Sequence, residues 1–311
     1  MKKSVIFPGQ GAQKVGMGKD IYDNFAVAKE VFEEVDDALK IKLSDIVFVD
    51  QDKTLNHTIN TQPAIMTVGV AIFRVLEKEL GLKINDYDYC AGHSLGEYTA
   101  LVCAGSLNLA DAATMLRARG MAMQNSVKIG EGGMAAILGA EIDEINQVII
   151  NNNFSTVEIS NDNCPGQVVI SGKKDEIDTC CIKIKEELSK KSINLPVSAP
   201  FHCNLMKSAA EQMKEMILDS NFKQLEIPII SNVTAREETS VENIKNLLIE
   251  QIYSRVRWRE IIEFMIKSKV NEIHEIGPGK SLSSMIKRFD ASIALQNYNS
   301  VEEINNFTKK E

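Results

Sequence analysis

The order of apolar and polar positions along the chain predicts alternating strands and helices. An apolar run at residues 3–7 ends in a Pro-Gly loop and is typical of a buried strand, and a second strand is expected at 87–90. Apolar residues recur at helical intervals over 21–39, 63–80 and 109–125. Because strands that alternate with helices form a mostly parallel sheet covered by helices, the sequence predicts an α/β fold.

The pattern changes near residue 126 and changes back near residue 199. Between them the expected order is strand, helix, strand, strand, helix, strand, which is the order of a ferredoxin-like unit. The segment "NDNCP" is expected to be the loop between the second and third of these strands. The sequence therefore predicts a larger domain formed by residues 1–125 and 199–311, with a small domain inserted at 126–198.

Composition narrows the class of protein. An apolar content of 44% with 25% charged residues is ordinary for a globular chain with a sizeable core. The net charge of −8 argues against non-specific binding of nucleic acid, which requires a basic surface. We expect no signal peptide and no membrane span, because the apolar runs are too short. The six cysteines lack zinc-type spacing, so we expect reduced thiols, no metal and a cytoplasmic location.

Ser94 lies between two glycines at the junction of a predicted strand and a predicted helix, in "GHSLG". The spacing of Ser94 and Glu97 also fits a capping box, in which both side chains bond the start of the helix. A cap does not require Gly92 and Gly96, whereas a nucleophile elbow does, because side chains there would clash. We therefore favour the elbow, with the amide of Leu95 facing a developing oxyanion.

A serine nucleophile requires a base, and the chain has four histidines. His202 follows a predicted strand and precedes a predicted helix, where catalytic groups of α/β proteins gather. His93 adjoins the serine, His57 lies in a polar loop, and His274 lies in an alternating strand where a structural role is expected. His202 is the best candidate, although the pattern alone does not give its distance from Ser94.

Two glycine-rich segments do not match nucleotide-binding motifs. In "FPGQGAQKVGMG", Lys14 occupies the third glycine position of the dinucleotide motif, and no Gly-Lys-Ser/Thr follows. In "HEIGPGKS", His274 occupies the position of the first glycine of a P-loop. A glycine-rich loop can nevertheless lend a backbone N–H to a neighbouring site, and Gln10 is the natural second oxyanion donor.

Arg119 lies near the end of a predicted helix and allows two interpretations. As a cation at a helix C-terminus it would interact favourably with the helix dipole, a role that Arg117 could equally fill. Alternatively, its guanidinium would bind a substrate carboxylate through two hydrogen bonds. The pattern alone leaves both interpretations open.

Six segments together resemble one known family. "FPGQGAQ", "GHSLGEYTALVCAG", "RARGMAMQ", "NDNCPGQVVISG", "LPVSAPFHC" and "EIGPGK" occur in the order and spacing of malonyl-CoA:acyl carrier protein transacylases, from about residue 3 to about residue 300. The resemblance implies an α/β-hydrolase-like, mostly parallel core with a ferredoxin-like insertion. It also implies transfer of a malonyl group from malonyl-CoA to the phosphopantetheine thiol of acyl carrier protein, in fatty-acid biosynthesis. No cofactor is implied, and we expect a monomer.

The resemblance also implies roles for individual residues. Ser94 would carry the malonyl group, His202 would be its base, and Arg119 would bind the malonyl carboxylate. The oxyanion hole would be the backbone amides of Gln10 and Leu95. A main-chain carbonyl near Gln251 would orient the histidine, and the ring of Phe201 would exclude an α-methyl branch. The further substrate-binding positions implied are Gln62, Gln251, Asn161 and Phe201.

Other functions remain open at this point. A serine esterase or thioesterase would use the same elbow with water as acceptor, and a discrete polyketide acyltransferase would serve another carrier protein. A catalytically silent carrier-binding subunit would leave the serine unlabelled. Basic residues at 183–191 and Arg255, Arg257 and Arg259 are candidates for docking the acidic carrier, although each could be an ordinary solvated charge.

Overall fold

Strands and helices alternate along the chain, as the hydrophobic pattern predicts. The computed structural model describes residues 2–197 and 199–307. The strands are β1 (Lys2–Phe7), β2 (Tyr89–Gly92), β3 (Gly132–Leu138), β4 (Glu158–Cys164), β5 (Gln167–Lys173), β6 (Lys191–Asn194), β7 (Ile229–Ile230), β8 (Glu237–Glu238), β9 (Val270–Ile276) and β10 (Ala294–Tyr298). The α-helices are α1 (Lys19–Asn24), α2 (Ala26–Leu39), α3 (Leu43–Phe48), α4 (Thr58–Leu80), α5 (Gly96–Cys103), α6 (Leu109–Asn125), α7 (Ile142–Asn151), α8 (Lys174–Leu188), α9 (Lys207–Asp219), α10 (Val241–Gln251), α11 (Trp258–Lys267), α12 (Ser281–Ile286) and α13 (Val301–Phe307).

The larger sheet has six strands in the order β10-β9-β1-β2-β7-β8. Its pairs are parallel except for β7 with β8, which is antiparallel. Strand β1 lies inside the sheet, with Ser4 opposite Tyr89 on one side and Ile273 on the other. Because parallel strands end at the same edge, the loops that follow β1, β2 and β7 meet there, where ligands of α/β sheets bind.

Both faces of this sheet are covered, and the alternation of side chains along β1 shows why. Val5 and Phe7 belong to one hydrophobic cluster with residues of α2, α4 and α6, whereas Ile6 belongs to a second cluster with residues of α11. Successive side chains of a strand point to opposite faces, so each cluster forms one face of the sheet. The predicted mostly parallel α/β fold is confirmed.

Helix α4 passes through the larger cluster. Among the described residues it is the one helix long and apolar enough to cross a membrane by length and composition, which the sequence analysis did not expect. Its apolar window is 89% buried inside the protein. Its buried side chains, among them Met66, Ile72 and Phe73, pack in the core. This burial is what a core helix of a folded domain shows.

The second sheet is antiparallel, with strands in the order β4-β5-β3-β6 and helices α7 and α8 between them in sequence. This order confirms the ferredoxin-like unit.

The predicted loop "NDNCP" is wrong in part, because residues 161–164 continue β4 and pair with β5 through two register shifts. Ser198, the last residue of the strand predicted after α8, lies outside the described residues. The domain boundaries stay a prediction.

Strand β4 connects the small sheet to the rest of the protein. Backbone bonds join Val256 N–H to the Ser160 carbonyl at 2.8 Å and Asp162 N–H to the Val256 carbonyl at 3.0 Å. The buried carboxylate of Asp162 pairs with Arg259 of α11 at 2.8 Å. These contacts fix the small sheet beside the edge where the loops of the larger sheet meet.

Candidate active site

The turn between β2 and α5 places Ser94 in a left-handed backbone conformation, with φ of 53°. Such a conformation costs a non-glycine residue about 1–3 kcal/mol and requires support from its surroundings. A Cβ atom on Gly92 would lie 1.9 Å from the carbonyl oxygen of Gly96, and one on Gly96 would lie 2.4 Å from that of Phe7. Both positions therefore require glycine, as a nucleophile elbow does.

The hydroxyl of Ser94 contacts two functional groups. Its Oγ lies 2.7 Å from Nε2 of His202 and accepts a hydrogen bond at 3.1 Å from Nη2 of Arg119. The capping-box alternative is not what the structure shows, because the first turn of α5 has no side-chain cap. The carboxylate of Glu97 instead accepts hydrogen bonds from the side chain of Gln251 and the backbone of Asn232.

His202 is a neutral hydrogen-bond acceptor for the Ser94 hydroxyl. Its Nδ1 lies 2.8 Å from the main-chain carbonyl of Gln251, and a carbonyl only accepts, so Nδ1 carries the hydrogen. The other nitrogen, Nε2, then presents its lone pair to the Ser94 hydroxyl. Burial, and next the charge of Arg119, lower the pKa of His202 to about 3. The imidazole is therefore uncharged at neutral pH and able to accept a proton.

Arg119 is a buried cation, 1% exposed, whose contacts are neutral. Nη1 donates to the side-chain oxygen of Gln62 at 2.6 Å, and Nη2 donates to that of Gln251 at 2.8 Å. Within residues 2–197 and 199–307, no carboxylate forms an ion pair with it and its Nε has no hydrogen-bond partner. Burial lowers the pKa of this guanidinium, but arginine stays charged in proteins. Such a group is suited to an anionic part of a substrate.

Two buried residues that the sequence analysis did not assign to the site complete its hydrogen-bond network. Glu97 accepts from Nε2 of Gln251 at 2.7 Å, and burial raises the pKa of its carboxyl to about 7. The side chain of Asn232 bonds the backbone of the elbow itself. Asn232 follows β7, and a polar residue at the carboxyl end of a parallel strand is the signal that could have indicated it.

A cleft of about 280 Å³ opens in front of the serine, between the larger sheet and the small one. Its wall includes Gln10 and Leu95, whose backbone amides donate no hydrogen bond to any described residue and so remain available to a ligand. Gln251 lies behind this wall and is buried. The other predicted substrate-site residues, Gln62, Asn161 and Phe201, all line the cleft.

The other three histidines have different surroundings. Nε2 of His93 bonds the Asn163 side chain at 2.9 Å on the cleft wall, which turns it away from Ser94. The ring of His274 lies between the Tyr87 hydroxyl and the Glu272 carboxylate, at 2.7 Å from each, in the structural role that the sequence predicts. His57 is exposed at the start of α4.

The arginines considered for other roles are engaged elsewhere. Arg117 donates to the Asn60 side chain at 3.0 Å and does not line the cleft. Arg255 and Arg257 both pair with Glu260. Arg259 pairs with Glu141 and Asp162. These pairs weaken the case for Arg255, Arg257 and Arg259 as free basic residues for docking.

The fold and this serine–histidine cleft are those of a serine enzyme that transfers or hydrolyses an acyl group. Comparison with known proteins gives the acyl transferase class. Residues 5–289 match the model of the acyl transferase domain family, to which the chain belongs. Within it the chain is a member of the malonyl CoA-acyl carrier protein transacylases, as the sequence motifs predict. The protein of that name from Bacillus subtilis is 44% identical over 289 residues, which cover 92% of this chain and 90% of the relative.

Solved structures agree with this assignment. An acyl-carrier-protein-S-malonyltransferase from Bartonella henselae superimposes with a TM-score of 0.95 at 42% identity, over 100% of this chain and 99% of that one. A malonyl-transacylase solved in complex with a type II PKS acyl carrier protein gives a TM-score of 0.95 at 34% identity, over 100% of both chains.

Proposed function

We propose that the protein transfers a malonyl group from malonyl-CoA to the phosphopantetheine thiol of acyl carrier protein, supplying fatty-acid biosynthesis. The observation that carries this proposal is the buried guanidinium of Arg119, which lies 3.1 Å from Ser94 Oγ and has no carboxylate partner among the described residues. The names of its relatives support the same reaction.

In the first step, Ser94 is acylated. His202 Nε2 takes the hydroxyl proton as Oγ attacks the thioester carbonyl, and a tetrahedral intermediate forms. The carbon–sulfur bond then breaks, and the proton on His202 passes to the leaving sulfur of coenzyme A. The products are malonyl-serine and free coenzyme A, with His202 neutral again.

In the second step, the carrier thiol replaces coenzyme A in the cleft. His202 takes the thiol proton, the thiolate attacks the malonyl-serine ester, and the proton returns to Oγ as the carbon–oxygen bond breaks. Neither step requires a cofactor, because His202 accepts one proton and returns it in each. Six free cysteines are consistent with a reducing compartment, and we place the reaction in the cytoplasm.

The two backbone amides would increase the rate of acyl transfer, and Arg119 would make it selective for malonyl. The amides of Gln10 and Leu95 would bond the oxyanion in both steps, and one such donor typically contributes about 3 kcal/mol. Arg119 would bind the free malonyl carboxylate through its unpartnered Nε and through Nη2, whose hydrogen bond to Ser94 Oγ the carboxylate would replace. An acetyl group has no such carboxylate, so it would leave the buried cation unpaired.

Intact-protein mass spectrometry after mixing with malonyl-CoA tests the proposal. The wild type is expected to gain the mass of one malonyl group and to lose it when the phosphopantetheine form of the carrier is added. Ser94→Ala is the control and should gain none. A malonyl-enzyme that disappears in water without carrier would indicate a thioesterase instead.

A polyketide carrier protein is a second candidate acceptor, because a structural relative was solved in complex with a type II PKS acyl carrier protein. The same assay with a fatty-acid carrier and a polyketide carrier, compared at equal concentration, distinguishes the two acceptors. Faster transfer to the polyketide carrier would replace fatty-acid biosynthesis as the proposed role.

A further inference from the structure

The side chain of Asn232 spans the turn that carries Ser94. Its Oδ1 accepts a hydrogen bond from the backbone N–H of Ser94 at 2.7 Å. Its Nδ2 donates to the carbonyl of Gly92 at 2.7 Å. The side chain is completely buried and does not line the cleft, so its contacts are with the elbow and not with space for a substrate.

The two backbone groups require a donor and an acceptor at adjacent positions. A carboxamide provides both, whereas a carboxylate only accepts and a small apolar side chain provides neither. The orientation of the amide follows from its partners, because a backbone N–H requires an acceptor and a carbonyl requires a donor. Asparagine therefore matches this site in a way that few other side chains do.

Asn232 is itself held by its neighbours. Its backbone N–H donates to the Glu97 carboxylate at 3.3 Å, and its carbonyl accepts from the N–H of Arg257 at 3.0 Å. On the opposite side of the turn, Gln251 Nε2 donates to the Ser94 carbonyl at 3.0 Å. Both backbone polar groups of Ser94 are thus bonded by side chains that come from distant parts of the chain.

We propose that Asn232 is a positioning residue that stabilises the left-handed conformation of Ser94 and so directs its hydroxyl toward His202. By engaging the N–H of Ser94 behind the turn, it leaves the next amide, that of Leu95, at the cleft wall. This inference rests on the proposed function only in naming the acyl group, because it concerns the reactivity of Ser94 toward any acylating reagent.

The test compares Asn232→Ala and Asn232→Asp with the wild type in two reactions. One is labelling by a fluorophosphonate, which reports the reactivity of Ser94 without malonyl recognition. The other is steady-state transfer from malonyl-CoA. Asp36→Ala is the matched control, because Asp36 is also buried and bonds the N–H and hydroxyl of Ser44, away from the cleft.

We expect Asn232→Ala to lower both the labelling rate and kcat by about 100-fold, as displacements of about 1 Å do in active sites. KM for malonyl-CoA is expected to stay within about threefold, because no ligand contact is removed. Asn232→Asp keeps the acceptor for Ser94 but places a second acceptor against the Gly92 carbonyl, so it should also lower both rates. Asp36→Ala should keep both rates, whatever its effect on the melting temperature.

Unchanged labelling in folded Asn232→Ala would overturn the inference, and so would a change in its KM with kcat retained. The inference would also fail if Asp36→Ala, at the same melting temperature as Asn232→Ala, lost as much labelling and transfer. If Asn232→Ala does not fold, the same criteria apply to Asn232→Asp. A wild type that labels but does not transfer malonyl would refute the proposed function alone, and the labelling comparison would still decide the role of Asn232.

Discussion

Replacing Arg119 by alanine is expected to separate malonyl transfer from acetyl transfer. The guanidinium is 1% exposed and faces the nucleophile, so a carboxylate bound there would be desolvated and paired. Removing the cation leaves that carboxylate buried without its partner. Acetyl-CoA carries no such group, so it should lose far less than malonyl-CoA by the change.

The structure sets the size of the effect. Breaking a buried ion pair by removing one partner costs about 3–5 kcal/mol. At about 1.4 kcal/mol for each factor of ten, kcat/KM for malonyl-CoA should fall by a factor of about 100 to about 4,000. Part of the loss comes from Gln62 and Gln251, whose side-chain oxygens would lose their donor.

The assay is the rate of Ser94 acylation, followed by rapid quenching and intact mass, with malonyl-CoA and acetyl-CoA as alternative donors. Arg117→Ala is the matched control, because Arg117 lies two residues away on α6 and contacts Asn60 outside the cleft. We expect Arg117→Ala to change neither donor's rate by more than about twofold.

Equal losses for malonyl and acetyl donors in Arg119→Ala would refute the carboxylate role. That result would mean that Arg119 acts through its hydrogen bond to Ser94 Oγ, which is common to both donors. A loss in Arg117→Ala as large as that in Arg119→Ala would show that the assay reports damage to α6 rather than loss of the proposed ion pair.

The elbow, His202 and the basic segment 183–191 each give a further expectation. Gly92→Ala should lower the unfolding free energy by about 3 kcal/mol or more in urea titrations, because its Cβ would lie 1.9 Å from a carbonyl oxygen, whereas Gly133→Ala, with 3.5 Å of clearance, should be nearly neutral. Since the pKa of His202 is about 3 when folded and near 6.5 when unfolded, the unfolded chain binds more protons between these values. Stability should therefore fall as the pH drops below about 6.5, and His202→Gln should show a smaller drop in urea midpoint between pH 7 and pH 5. Charge reversal at Lys190 and Lys191, the last two residues of the basic segment 183–191, should weaken the salt dependence of transfer to carrier protein, and an unchanged dependence would exclude this segment as a docking surface.

Local chemistry made the elbow and the ferredoxin-like unit predictable. The glycines around Ser94 are required by clashes within a few residues or with the adjacent strand, so the short motif contains the signal. The order of strands and helices from β3 to β6 follows from hydrophobic periodicity. Both signals can be recognised from the residue types in a short segment of the sequence.

Features set by distant contacts were not predictable in this way. Residues 161–164 read as a loop because they are polar, yet they continue β4, and its backbone bonds Val256. Several hydrogen bonds of the site join residues more than 100 positions apart, such as Ser94 with His202 and with Asn232. No local pattern encodes such a pair, so the sequence could indicate His202 as a candidate base but not its distance from Ser94.

Gln251 contacts the site through its main chain and through its side chain, and only the side-chain contacts depend on the residue type. Its main-chain carbonyl bonds Nδ1 of His202, and its side chain bonds Arg119 and Glu97. Every amino acid has the carbonyl, whereas the carboxamide is lost by almost any replacement. A substitution at position 251 would therefore change the contacts of Arg119 and Glu97, whereas the carbonyl that bonds His202 would remain.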